Sequence, residues 1–159
     1  MMYSNACSYA IRAMTRLALL RPNGYVLLDD LCDEPDIPRH FVAKIFQDLV
    51  RKGLLLSAKG RGGGFALARP ADKITLYDIV AEVDGVAWLS SCVVGMAQCD
   101  DEQPCPQHEQ WKVLRGEISE YLKHTTLEKM AETLRRKLEL LGQPVPELKR
   151  RSKVVRSEP

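Results

Sequence analysis

The chain has 159 residues, 45% of them hydrophobic and 28% charged, an ordinary globular composition that excludes a wholly disordered protein. No run of about 18 apolar residues occurs, and the first ten residues lack the basic start and apolar core of a secretion signal. A cytoplasmic location without a membrane partner is therefore expected.

The net charge of +2 conceals a division. Residues 1–70 carry ten Lys/Arg against six Asp/Glu, residues 71–108 one against seven, residues 109–148 seven against seven, and residues 149–159 five against one. A basic first half beside an acidic middle suits a polyanion-facing surface near the N-terminus.

Tyr9, Ala10, Ala13, Met14, Leu17 and Ala18 recur at helical spacing, which predicts a first helix over 5–20, stopped at Pro22-Asn23-Gly24. Leu27 to Asp33 reads as a short second helix. Ile37-Pro38 opens a third, with proline in the first turn, where its missing N–H costs nothing. Phe41, Val42, Ile45, Phe46 and Leu49 form its apolar stripe; His40, Lys44, Gln47 and Arg51 form the opposite, mildly basic face. Gly53 caps this helix. Leu54–Ala58 and Phe65–Ala68 flank Lys59-Gly60-Arg61-Gly62-Gly63-Gly64, a hairpin with a glycine-rich, dibasic tip. Three short helices followed by a hairpin is the winged-helix order.

Thr75 caps a fourth helix over Leu76–Val83, ended by Asp84-Gly85. Residues 86–108 lack periodicity and contain cysteines. A long helix from Pro106 or Gln107 to Lys123 carries Trp111, Leu114, Ile118, Tyr121 and Leu122 on one side. Another runs from Thr126 to about Leu141, stopped at Gly142-Gln143-Pro144. Residues 142–159 read as a disordered basic tail.

A helix entering the major groove needs an apolar back and a short polar front. On that basis Arg39, His40, Lys44 and Gln47 are the candidates for base or phosphate contact. A wing tip needs clearance and positive charge, which points to Lys59, Arg61 and the backbone of Gly62–Gly64. A nucleotide-binding loop is disfavoured, because Gly-Lys-Ser/Thr opening a helix is absent.

The runs Cys7-Ser8-Tyr9-Ala10-Ile11-Arg12-Ala13, Phe46-Gln47-Asp48-Leu49-Val50-Arg51-Lys52-Gly53-Leu54, Gly60-Arg61-Gly62-Gly63-Gly64-Phe65-Ala66-Leu67-Ala68-Arg69 and Ile74-Thr75-Leu76-Tyr77-Asp78-Ile79-Val80, with the cysteine loop that follows, resemble the Rrf-two family of bacterial regulators over about residues 3–140. The resemblance implies a transcriptional repressor that binds double-stranded operator DNA as a homodimer. It also implies a fold mainly α with a small β-hairpin wing: a winged helix-turn-helix plus a long dimerisation helix. The chain then divides into a DNA-binding unit (1–85), a cysteine-rich cluster-binding loop (86–108), dimerisation helices (109–141) and the tail. IscR-type members carry a glutamate at the position of Ala43, so their operator preference does not transfer.

Of five cysteines, Cys92, Cys99 and Cys105 fall within fourteen residues on a loop broken by Gly95, Pro104 and Pro106. Thiolates on a flexible segment can converge on an iron–sulfur cluster, [2Fe–2S] or [4Fe–4S]. Zinc and redox-reactive thiols are the competing readings, although zinc sites favour shorter Cys-Cys spacings. The family resemblance favours the cluster and implies a fourth ligand at His108, which matches the histidine ligand of IscR-type members. In NsrR-type members a partner-subunit aspartate serves instead; Ser8 stands at that position, and the adjacent Cys7 of the partner is a less favoured substitute. Cys32 reads as a core thiol. The run Asp100-Asp101-Glu102 reads as a solvated loop. No Cys-x-x-Cys on a βαβ pattern and no nucleophile–base spacing suggests an enzyme or a small-molecule substrate.

Overall fold

The computed structural model describes residues 2–20, 23–32, 36–97 and 100–148. Among them run α1 (Asn5–Leu20), α2 (Leu28–Leu31), α3 (Arg39–Arg51), β1 (Leu55–Ala58), β2 (Gly64–Leu67), α4 (Leu76–Val83), α5 (His108–His124) and α6 (Leu127–Leu140). This is the mainly α fold with a hairpin wing. No helix among the described residues is long and apolar enough to cross a membrane.

The core is built around α1, against which α3, α4 and α6 all pack. Ala10, Ala13 and Ala18 let neighbouring helices approach closely, while Cys7, Met14 and Leu17 are fully buried. The buried Thr15 is satisfied within the helix, its hydroxyl donating to the Ile11 carbonyl at 2.7 Å.

Pro38 is the residue before α3 rather than its first helical one; its carbonyl accepts the N–H groups of Phe41 and Val42 at 3.0 and 3.1 Å. Val42, Ile45, Phe46 and Leu49 bury the expected stripe. Phe41 departs from it: the side chain is 39% exposed, and its ring stands edge-on to Tyr9 at the core's margin. The end of α3 is closed by Gly53 at φ 76°, with Gly53 N–H donating to Val50 O and Leu54 N–H to Leu49 O. That pairing satisfies two orphan carbonyls and needs a left-handed residue.

The hairpin pairs Leu55 with Leu67 and Ala58 with Gly64 in an antiparallel register. Val26 adds a third arm, exchanging two 2.8 Å backbone hydrogen bonds with Phe65. Phe65 is buried and packs edge-on against Phe46 of α3 at 5.1 Å, so the wing is fastened to that helix. The glycine run serves this packing more than the outside. A Cβ on Gly64 would lie 2.1 Å from the Val26 carbonyl oxygen, and one on Gly63 would lie 2.2 Å from that of Ala58. The Gly63 N–H already donates to Gly60 O. The expectation that Gly63 offers its N–H to a phosphate is thereby corrected.

At α4, Thr75 and Asp78 form a reciprocal capping box. Beside it, Leu76 N–H donates to Thr125 O at 2.8 Å and Leu127 N–H to Ile74 O at 2.9 Å. These two bonds clasp the α5–α6 corner to the start of α4. Helix α6 returns along α1, burying Leu127 and Ala131, with Met130, Leu134 and Leu138 partly covered.

The apolar residues of α5 do not act as one face. Leu122 is buried and Trp111 and Ile118 are half-buried, whereas Val113, Leu114 and Tyr121 are 61%, 50% and 49% exposed. Beyond α6 the chain is not simply solvated: Val145 packs against the core. The basic residues from Lys149 onward lie outside the described residues.

Candidate nucleic-acid interface and metal-binding loop

The exposed face of α3 presents Arg39, His40, Lys44, Gln47 and Arg51, as their spacing predicts. Two of these cations are already engaged: Arg39 Nε lies 2.5 Å from Asp29 Oδ1, and Arg51 pairs with Asp48. Lys44 of α3 and Lys59 and Arg61 of the hairpin tip are exposed and make no ion pair among the described residues. Gly62 sits beside them, exposed and at φ 87°. A recognition helix and a cationic wing thus project from one rigid unit, joined through Phe46 and Phe65.

Arg12 of α1 grips Asp36 with two hydrogen bonds of 2.8 and 2.9 Å, bracing the approach to α3. The guanidinium holds the Asp36 carboxyl below the ordinary carboxylate range. Cys32, after α2, is half-buried; burial raises its pKa, and the nearby Arg39 partly opposes that shift.

The acidic, cysteine-bearing segment starts after α4 and ends where α5 begins. Cys92 is half-buried, Cys105 is buried, and Cys99 lies outside the described residues. His108, the first residue of α5, is 2% exposed rather than facing water. Its N–H donates to the Cys105 carbonyl at 2.9 Å, which places a thiol and an imidazole on one turn. Two sulfurs and a buried imidazole are donors that suit iron or zinc, so the residues present fit a thiolate-bound metal group.

The acidic run proves partly structural. Asp100 Oδ1 accepts the N–H groups of Glu102 and Gln103, forming a tight turn. Asp101 Oδ1 lies 2.9 Å from His108 Nε2 and 2.6 Å from Lys112 Nζ. The Lys112 ammonium first, and His108 after it, hold the Asp101 carboxyl below its ordinary range. Glu109 places a third donor within 4.8 Å of these two residues. Sequence reasoning missed this arrangement, since no periodic pattern links a loop aspartate to a helix start seven residues later. Trp111 Nε1–H donates to the Ser91 carbonyl at 2.8 Å, tying the loop's first part to α5.

Cys7, the less favoured ligand, is fully buried in α1. Burial, and next the Asp84 carboxylate, push its thiol up to about 12. A thiol so placed is a core group and is not offered to a partner's loop.

Residues 3–133 match the family model of Rrf2, described as iron-dependent transcriptional regulators. An HTH-type transcriptional regulator assigned in Aquifex aeolicus is 35% identical over 130 residues, covering 80% of this chain and 89% of that protein. The HTH-type transcriptional regulator IscR of Erwinia tasmaniensis is 32% identical over 119 residues, 75% of this chain and 72% of that one. Among solved structures, CymR, the global cysteine regulator of B. subtilis, matches with a TM-score of 0.70 at 25% identity, covering 84% and 98% of the two chains. IscR of T. potens matches with a TM-score of 0.67 at 21% identity, covering 86% and 90%, a likeness of fold.

Proposed function

Because this chain belongs to the Rrf2 family of transcriptional regulators, we propose that it is a homodimeric repressor of double-stranded operator DNA, switched by an iron–sulfur cluster on Cys92, Cys99 and Cys105 with His108 as fourth ligand. The observation that carries the switch is the burial of His108 beside Cys105, at the start of the helix that links loop to core. When bound, the cluster supplies iron–thiolate bonds that oxidants or iron loss can undo.

The chain's own residues do the rest. Arg39, His40, Lys44 and Gln47 face base edges and phosphates, while Lys59, Arg61 and the Gly62 backbone meet the phosphate chain. The exposed Val113, Leu114 and Tyr121 supply the apolar surface by which a second α5 would be met. In such a dimer the two α3 helices must match half-sites about 34 Å apart. The 86–107 loop joins α4, which packs on α1 and α3, to α5. Its ordering therefore adjusts the spacing between the two reading heads.

The test is oxygen-free purification with iron and sulfide quantitation and a visible spectrum, followed by operator-binding titrations before and after chelator treatment. Iron, sulfide and a change in affinity are expected. A colourless protein holding zinc supports the zinc-stabilised reading instead, and equal affinities in the two states dispose of the switch.

A further inference from the structure

We propose that Asp101 positions His108 for ligation, holding the imidazole by Nε2–H so that it joins the metal-binding loop through Nδ1, while Lys112 holds the carboxylate in place. The inference rests on the cluster reading above and extends it to residues outside the ligand set.

An ionised carboxylate only accepts hydrogen bonds, and Lys112 keeps Asp101 ionised. The proton in the 2.9 Å contact therefore sits on His108 Nε2. While that bond persists, Nδ1 is the nitrogen that can bind a metal. A ligating histidine whose other N–H is held by a carboxylate is fixed in tautomer and orientation and made more basic, and losing such support weakens metal binding about 10–100-fold. Burial matters as well: His108 is 2% exposed, so water does not readily replace Asp101 as the acceptor. The partner is held in turn, because Lys112 lies one helical turn after His108 on α5 and reaches the same oxygen at 2.6 Å. Lys112 carries the support from the loop into the helix. Glu109 lies near but makes no hydrogen bond to the imidazole among the contacts of the described residues, so it is the natural control.

The experiment follows cluster loss to a chelator, by the decay of visible absorbance, in full-length protein reconstituted without oxygen. Asp101→Ala is expected to speed loss about tenfold. Lys112→Met should fall between Asp101→Ala and the parent, and Glu109→Ala should stay within about twofold of the parent. His108→Ala should match Asp101→Ala, and the double variant should be no faster than His108→Ala alone, because one residue acts through the other. Parent-like loss in Asp101→Ala overturns the proposal, as do full additivity in the double variant and an equal effect of Glu109→Ala. Nitrogen NMR of the apoprotein's imidazoles provides a readout free of the cluster. His108 should be the Nε2–H tautomer in the parent and lose that bias in Asp101→Ala, and an unchanged tautomer overturns the proposal. Failure of the parent to take up any cluster counts against the proposed function, while the NMR result still decides the role of Asp101.

Discussion

Ser4 and Asp84 complete a helix cap across eighty residues of sequence. Ser4 N–H donates to Asp84 Oδ2 at 2.8 Å and its hydroxyl donates to Oδ1, while the Ser4 oxygen accepts Cys7 N–H at 3.0 Å. In a local capping box the reciprocal carboxylate sits three residues into the helix, where this chain has Cys7. Asp84, the residue that ends α4, supplies it instead. The start of α1 is thereby tied to the point where the chain enters the cysteine loop.

Asp84→Ala is expected to lower stability by about 1–2 kcal/mol, the usual scale of a lost cap. Ser4→Ala should cost a similar amount, and the double variant less than the sum, since both remove one arrangement. Urea unfolding of the three variants measures this.

Gly64→Ala should be far more damaging than Gly60→Ala, although both glycines have positive φ. A Cβ on Gly60 meets nothing within 4 Å, so only the left-handed backbone penalty of about 1–2 kcal/mol applies. On Gly64 it strikes the Val26 carbonyl and must break the Val26–Phe65 pairing. Thermal unfolding should show a clearly larger fall in midpoint for Gly64→Ala.

Lys59→Ala and Arg61→Ala should weaken binding to operator and random duplex alike, each reducing the slope of log affinity against log salt by about 0.9. Gln47→Ala should instead cost about 1–3 kcal/mol on the operator alone. Fluorescence anisotropy with both duplexes at several salt concentrations separates the two behaviours.

The Arg12–Asp36 pair predicts a pH dependence. The folded protein holds the Asp36 carboxyl below its ordinary value, so the unfolded chain binds the proton more readily. The pair's contribution is thus present above the ordinary aspartate range and fades as pH falls through the depressed folded value. Asp36→Asn should remove this component, so the stability curves of variant and parent approach one another in acid. Urea midpoints across pH 2–6 (a window of about two units either side of an ordinary carboxylate) check it.

Cys7 should resist alkylation at about pH 8 in the native state, because burial has pushed its thiol up to about 12. Mass spectrometry after brief iodoacetamide treatment should find Cys7 modified only once the protein is unfolded.

Local codes made much of this molecule legible. The α4 start is written in Thr75 and Asp78, three residues apart, and the buried positions of α1 in its helical periodicity. What escaped was encoded between distant segments. Nothing near Val26 announces that it will pair with Phe65, so the glycines beside Phe65 were read as facing outward. The stripe of α5 looked uniform because periodicity reports a face without saying what covers it. Leu122 is buried while Leu114 and Tyr121 are not. At the loop, thiol spacing identified Cys92, Cys99 and Cys105 as donors. The hold of Asp101 on His108 depends on how an aperiodic segment folds back, which no local pattern records.

The clasp between Ile74–Leu76 and Thr125–Leu127 makes α5 a lever with its fulcrum at the C-terminal end. Its 17 residues span about 25 Å. A tilt of about ten degrees around that fulcrum sweeps His108 through roughly 4 Å, a distance comparable with the rise of one DNA base pair. Small rearrangements among loop side chains are thus magnified mechanically before they reach any surface outside the subunit.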